Sequence, residues 1–251
     1  MTYCCGVLVR EGLVMIADTR TNAGLDNIAT FRKLHIFEQP GERVLMLATA
    51  GNLSVTQGAL GLLREGFEDP VSGEILRLLD APNMTQAAQL VGRAVRASRA
   101  VAGDAAQQAE GVSFDVSILF GGQIGTGAPR LFMIYTAGNC IECTPDTPYL
   151  QIGEHKYGKP ILDRAVNYDS DIYDALKIGL ISMDSTIRSN LSVGLPIDIA
   201  LLRTGALRTE VATRITVTDP YFRDLRERWS AALKAAHTNI PAPPYGREAT
   251  T

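Results

Sequence analysis

The order in which strand-like and helix-like segments follow one another constrains this chain more than any single residue does. Reading from the start, strands come first, then two helices, strands, two helices, strands and a final helix. Clustering of this kind indicates an α+β domain with antiparallel sheets rather than alternating βαβ units. Two sheets stacked face to face, with helices on both outer faces, satisfy it: a four-layer αββα sandwich. No internal repeat or linker interrupts the pattern, so residues 1–239 are expected to form a single domain. The proline-rich stretch 240–251 cannot be helical and is expected to be extended or mobile.

The opening is a hairpin. Tyr3 to Arg10 and Leu13 to Asp18 are apolar, β-rich runs separated by the short turn Glu11-Gly12. A polar loop from Asn22 to Thr30 leads to a second pair, Lys33 to Phe37 and Arg43 to Thr49. Gly51-Asn52 then opens a helix, with Asn52 as its cap, running to about Glu65. Asn83 caps a longer helix to roughly Ala109, along which Arg93, Arg96 and Arg99 form a solvated or subunit-facing stripe. Strands Ser113 to Phe120 and Arg130 to Thr136 flank the glycine-rich segment Gly121 to Pro129, which lacks the ending of a phosphate loop and reads as a hairpin connection. Strand-like Ile141 to Thr144 and Tyr149 to Ile152 follow, then helices from about Tyr157 and Ser170. Strands Ile197 to Leu202 and Ala212 to Thr218 and a helix from Pro220 to about Ala236 complete the order.

Composition narrows the function. Hydrophobic residues make up 46% and charged ones 20%, and the net charge is -3, which argues against nucleic acid or acidic membranes as partners. No apolar run approaches the roughly 18 residues that span a bilayer, and Arg10, Glu11, Asp18 and Arg20 interrupt any signal-peptide core, so a cytoplasmic location is expected. Of four cysteines, Cys4 and Cys5 are adjacent on a strand and point to opposite faces. Cys140 and Cys143 have redox or zinc spacing, but strand positions three apart also face opposite ways. All four read as structural thiols, and neither metal nor other cofactor is expected.

The chemistry-bearing residues lie near the start. Removal of Met1, which trims readily ahead of a small residue, leaves Thr2 with a hydroxyl nucleophile and a free α-amine of pKa near 8 as its own base, with no pro-segment needed. Counting back from the turn sets Thr2 opposite Thr19 to Thr21, one strand from Asp18. If Asp18 and Lys33 converge on it, the site is a self-contained amide-cleaving one. His35, two residues beyond Lys33, reads as a packed or edge histidine, and Asp198 as a residue satisfying neighbouring backbone or a subunit contact.

In order along the chain, Thr2, Ala17-Asp18-Thr19-Arg20, Lys33-Leu34-His35, Ala50-Gly51-Asn52, Thr136-Ala137-Gly138-Asn139, Ile152-Gly153 with Tyr157-Gly158 through Leu162-Asp163, and Arg188 to Gly194 resemble a proteasome β-type peptidase. The resemblance covers Thr2 to about Thr218. Arg20-Thr21-Asn22-Ala23-Gly24, Thr30 to Phe37 and Glu38 to Arg43 resemble one branch, the bacterial ancestral β-subunit (Anbu) family. This implies the N-terminal nucleophile hydrolase fold and homo-oligomers, as rings or open helical assemblies. It also implies a peptide or protein substrate and peptide-modifying partner enzymes. By carry-over Thr2 is the nucleophile, Lys33 eases its deprotonation, and Asp18 holds Lys33. The Gly51 N–H stabilises the oxyanion, and Ser192 contacts the threonine amine. Thr21 lines the substrate strand, and Thr49 and Leu53 flank the specificity pocket.

Three departures stand out. The Asp18–Lys33 interval is one residue shorter than usual, and a slip of one within a strand turns Lys33 away; the loop Asn22 to Thr30 has to absorb it. Glu154 replaces a serine in the flanking loop beside His155, and Ser189 replaces an aspartate that supports the amine. The expected function is a threonine hydrolase of peptide or isopeptide amides. The alternative is a catalytically quiet oligomeric scaffold of the same fold that binds a partner protein.

Overall fold

The computed structural model describes residues 2–22, 28–106 and 113–245. Its strands are β1 (Tyr3–Val9), β2 (Gly12–Asp18), β3 (Arg20–Asn22), β4 (Ile28–Thr30), β5 (Leu34–Gln39) and β6 (Arg43–Gly51), then helix α1 (Leu53–Glu65). Two short strands β7 (Phe67–Glu68) and β8 (Ile75–Leu76) precede α2 (Met84–Ala106). Next come β9 (Val116–Ile124), β10 (Arg130–Tyr135), β11 (Cys140–Glu142) and β12 (Tyr149–Gly153). Helices α3 (Lys159–Ala165) and α4 (Ile172–Ser189), strands β13 (Ile197–Arg203) and β14 (Thr209–Ile215), and helix α5 (Pro220–Asn239) complete the chain.

Two antiparallel five-stranded sheets result, in the orders β12-β1-β2-β13-β14 and β11-β10-β9-β6-β5. Side-chain alternation along each strand makes the layers. From β1 and β2, Cys4, Leu8, Leu13, Met15 and Ala17 enter the core between the sheets, where they meet Val44, Met46 and Ala48 of β6. Their neighbours Tyr3, Cys5, Val7, Val14 and Ile16 point the other way, onto α3, α4 and α5. The outer face of the second sheet is covered by α1 and α2 through Val55, Leu60, Val91 and Val95. Burial on both faces explains why β1 and β2 read as unbroken apolar runs. The αββα expectation is met, and Cys4 and Cys5 do take opposite faces.

Several boundaries differ. The polar loop after Asp18 carries a ribbon instead, with Arg20 opposite Thr30 and Thr21 opposite Ala29. The strand β9 runs on through Gly121 and Gly122 to Ile124, because residues without side chains let β6 and Leu13 approach closely there. The second strand of the last pair begins at Thr209 rather than Ala212, since cross-strand pairing with β13 reaches Leu202↔Thr209. Asn83 caps α2 through Gln86 N–H, as expected, while the expected end of that helix near Ala109 lies outside the described residues, as does the tail beyond Tyr245. The described part of that tail, Ile240 to Tyr245, is exposed. Asp198 is satisfied not by backbone but by the guanidinium of Arg214 on β14, at 2.7 and 2.8 Å. Among the described residues no helix is long and apolar enough to cross a membrane.

Candidate functional site

The ends of β1, β2 and β6 meet at one edge of the inter-sheet layer, and the expected residues gather there. The register of β1 with β2, Cys4 opposite Ala17, brings Tyr3 beside Asp18, whose Oδ1 accepts the Tyr3 N–H at 3.0 Å. Lys33, at the entry to β5, donates from Nζ to the same Oδ1 at 2.8 Å and to the Arg20 carbonyl at 2.6 Å. The shortened interval has been absorbed: the Lys33 side chain is 6% exposed and that of Asp18 is completely buried. The ribbon of β3 and β4 makes this possible, because it reverses the chain so that Phe31 N–H returns to the Thr19 carbonyl.

Burial pushes the Asp18 carboxyl above its ordinary range. The Lys33 ammonium opposes that shift, as do the N–H groups of Tyr3 and, at 3.4 Å, Gly194. Cys4 lies just beneath. Burial first, and the Asp18 charge second, raise its thiol, which donates to the Thr49 carbonyl. It is therefore a neutral packing group, not a competing nucleophile.

A cavity of about 410 Å³ opens above the pair, lined by Thr2, Thr21, Lys33, Thr49, Gly51, Leu53 and Glu154, together with Ala50, Thr56 and Gly153. Gly51 ends β6 at φ +102°, and a Cβ there would meet the Asp115 carbonyl at 2.2 Å. Only glycine permits this turn into α1. Asn52 then caps the helix, its side chain accepting from Val55 N–H at 3.2 Å.

Ser192, Ser189 and His155 are placed otherwise. Ser192 lies half-buried after α4, its N–H donating to Asn190 Oδ1 at 2.9 Å, and does not line the cavity. Ser189 is the exposed last residue of α4, and His155 is exposed with its ring against the Gly153 carbonyl. His35 sits at the edge strand, its Nδ1 facing Arg64 at 3.2 Å and away from this cavity's lining.

Three residues lie in segments that the sequence singles out but have contacts it does not foretell. Asn190 links the two loops beside the cavity, giving its Nδ2 to Glu154 Oε2 at 3.1 Å. Arg20 supplies the second acceptor for Lys33 and donates from Nη1 to the Leu191 carbonyl at 2.9 Å. Gly194 leaves room for that guanidinium: a Cβ would lie 2.3 Å from Arg20 Cζ. The one signal available was Asn190 at the foot of a helix, where asparagine favours a terminus.

The Cys140–Cys143 pair faces opposite ways, with Cys140 exposed and Cys143 buried against the Thr147 carbonyl at 2.8 Å. Burial raises the Cys143 thiol to about 12.

The chain as a whole has known relatives. No model of a protein family and no curated protein matches the chain. Solved structures do. Anbu (ancestral beta-subunit) from Yersinia bercovieri is 44% identical, over 98% of this chain and 100% of that one, with a TM-score of 0.87. Anbu from Hyphomicrobium sp. strain MC1 is 46% identical over 96% and 99%, also at 0.87. The helical assembly of the Anbu complex from Pseudomonas aeruginosa is 43% identical over 98% and 100%, at 0.89.

Proposed function

The chain belongs to the Anbu family of proteasome-type proteins, and we propose that it is a threonine hydrolase of peptide or isopeptide amide bonds, acting through Thr2 once Met1 is removed. One observation carries this reading. Lys33, buried and held by the buried Asp18, lines the same cavity as Thr2 and the Gly51 turn. A lysine fixed this way lowers the cost of forming an alkoxide beside it, because its charge is screened by protein rather than by water. The hydroxyl of Thr2 attacks the amide carbonyl while the α-amine takes its proton. The Gly51 N–H receives the oxyanion, a contribution of about 3 kcal/mol to the transition state. Thr21 lies along the substrate strand, and Thr49 and Leu53 bound the pocket for the residue before the scissile bond.

The particle is a homo-oligomer in this reading, supported by the helical assembly of the Pseudomonas aeruginosa relative, and works in the cytoplasm on peptide or protein substrates, alongside peptide-modifying partner enzymes. Intact mass of the purified protein, followed by exposure to a threonine-directed electrophile such as a β-lactone, tests it. The expected results are a chain without Met1 and one equivalent of adduct. Thr2→Ala is expected to abolish the adduct and leave assembly unchanged. A chain that keeps Met1, or an adduct that survives in Thr2→Ala, would overturn the assignment and leave the partner-binding scaffold.

A further inference from the structure

The strand β12 runs antiparallel to β1 with Tyr3 opposite Gly153. Just beyond that pair, the Glu154 N–H donates to the Thr2 carbonyl at 2.7 Å. The paired register ends at Gly153, whose φ of +80° turns the chain, and this hydrogen bond keeps Glu154 against Thr2 beyond that turn. Both residues line the same cavity. The Glu154 carboxylate is 11% exposed. It accepts from Asn190 Nδ2 at 3.1 Å through Oε2, while Oε1 lies 3.9 Å from the exposed ammonium of Lys156. A carboxylate this sheltered, anchored through one oxygen beside a chain terminus, needs a reason to be there.

We infer that Glu154 is the positioning residue for the α-amine of Thr2, accepting an N–H from it and so turning its lone pair toward the hydroxyl. The inference rests on the reading of Thr2 as a processed N-terminus.

The charges around the amine give the role its physical content. Lys33, fixed by Asp18, favours the neutral amine, and a carboxylate in the adjoining loop favours the ammonium. Lys156 lies on the solvent side of Glu154, His155 is exposed against the Gly153 carbonyl, and the Arg20 guanidinium is engaged by the Leu191 carbonyl. Ser189, exposed at the end of α4, brings no charge. Glu154 is thus the carboxylate lining the cavity that can balance Lys33 at the amine.

The α-amine can be titrated without reference to catalysis. Acylation of the N-terminus of processed protein by acetic anhydride, read peptide by peptide from pH 6 to 9, reports its pKa. In Glu154→Gln, which keeps an acceptor for Asn190 and the shape of the side chain, that pKa is expected to fall by about one unit, so the neutral, reactive fraction of the amine at pH 7 rises roughly fivefold. Glu154→Asp is expected to restore part of the shift, and thermal melting checks that both variants fold. The acid limb of β-lactone labelling should move with the amine. An unchanged amine pKa in a folded Glu154→Gln overturns the inference, even where wild-type labelling upholds the hydrolase reading. Conversely, a shifted amine with no adduct in the wild type removes the hydrolase reading and keeps Glu154 in its role. Retention of Met1 overturns both.

Discussion

Asp18 and Lys33 are two opposite charges removed almost completely from water. Desolvating such a pair costs several kcal/mol per ion, so a buried ion pair is weak evidence for stability by itself. What makes this one tenable is the completeness of its hydrogen bonding. Lys33 has two oxygen acceptors, and Asp18 receives the ammonium and two backbone N–H groups. Removing one partner therefore leaves the other charged and stranded. Lys33→Met should cost about 3 kcal/mol in urea denaturation. The double variant Asp18→Asn/Lys33→Met removes both charges and is expected to recover most of that loss, yet to take no adduct from the β-lactone. A double variant as labile as the single one would mean that packing, not charge, holds the site. Both residues were legible from their place in short motifs. Arg20 and Asn190 stand in such motifs too, but their roles were not legible, because their contacts join positions 13 and 36 or more residues apart, and no local pattern encodes such a meeting.

At the level of elements, the signals that carried through were those with a local cause. The opening hairpin (its two-residue turn is Arg10-Glu11, one residue before the expected Glu11-Gly12), the alternation of β1 and β2 between two cores, and the caps at Asn52 and Asn83 all follow from nearest neighbours along the chain. The ribbon β3–β4 was missed because its strands are only three residues each and polar, so periodicity has nothing to register. That ribbon is nevertheless what reconciles the short Asp18–Lys33 interval with a buried lysine. The junction of β6 and α1 shows an element boundary acting on the site. Asn52 ties it at both ends, accepting from Val55 N–H and donating from Nδ2 to the Ser113 carbonyl at 3.1 Å. Asn52→Ala should lower stability by about 1 kcal/mol by loss of the cap. It should also slow β-lactone labelling at Thr2, because the adjoining Gly51 N–H is then less firmly aimed. Denaturation and labelling kinetics on the same variant separate the two effects; unchanged labelling in a destabilised variant would detach Gly51 from the oxyanion.

Across the whole molecule, the candidate site occupies one edge of the inter-sheet layer, and the outer edge of the second sheet carries a different titratable group. His35 on β5 has its Nε2 buried without a hydrogen-bond partner among the described residues. Burial first, then the charges of Arg64 and Arg32, lower its pKa from 6.5 to about 4. The folded protein holds this imidazole neutral, whereas the unfolded chain protonates it below pH 6.5. Stability from this source is therefore fully present above pH 6.5 and is lost as pH falls toward 4. Asp18, whose carboxyl is raised by burial, works in the opposite sense, because the folded state takes up its proton more readily than the unfolded chain as pH falls. The two are separable by substitution. Between pH 7 and 4 the wild type is expected to lose on the order of 2 kcal/mol more than His35→Gln, after allowance for the partial exposure of the ring. Urea midpoints of both proteins across that range measure the difference. Parallel curves would show that protonated His35 is accommodated at the sheet edge, and that acid sensitivity arises instead among the carboxylates.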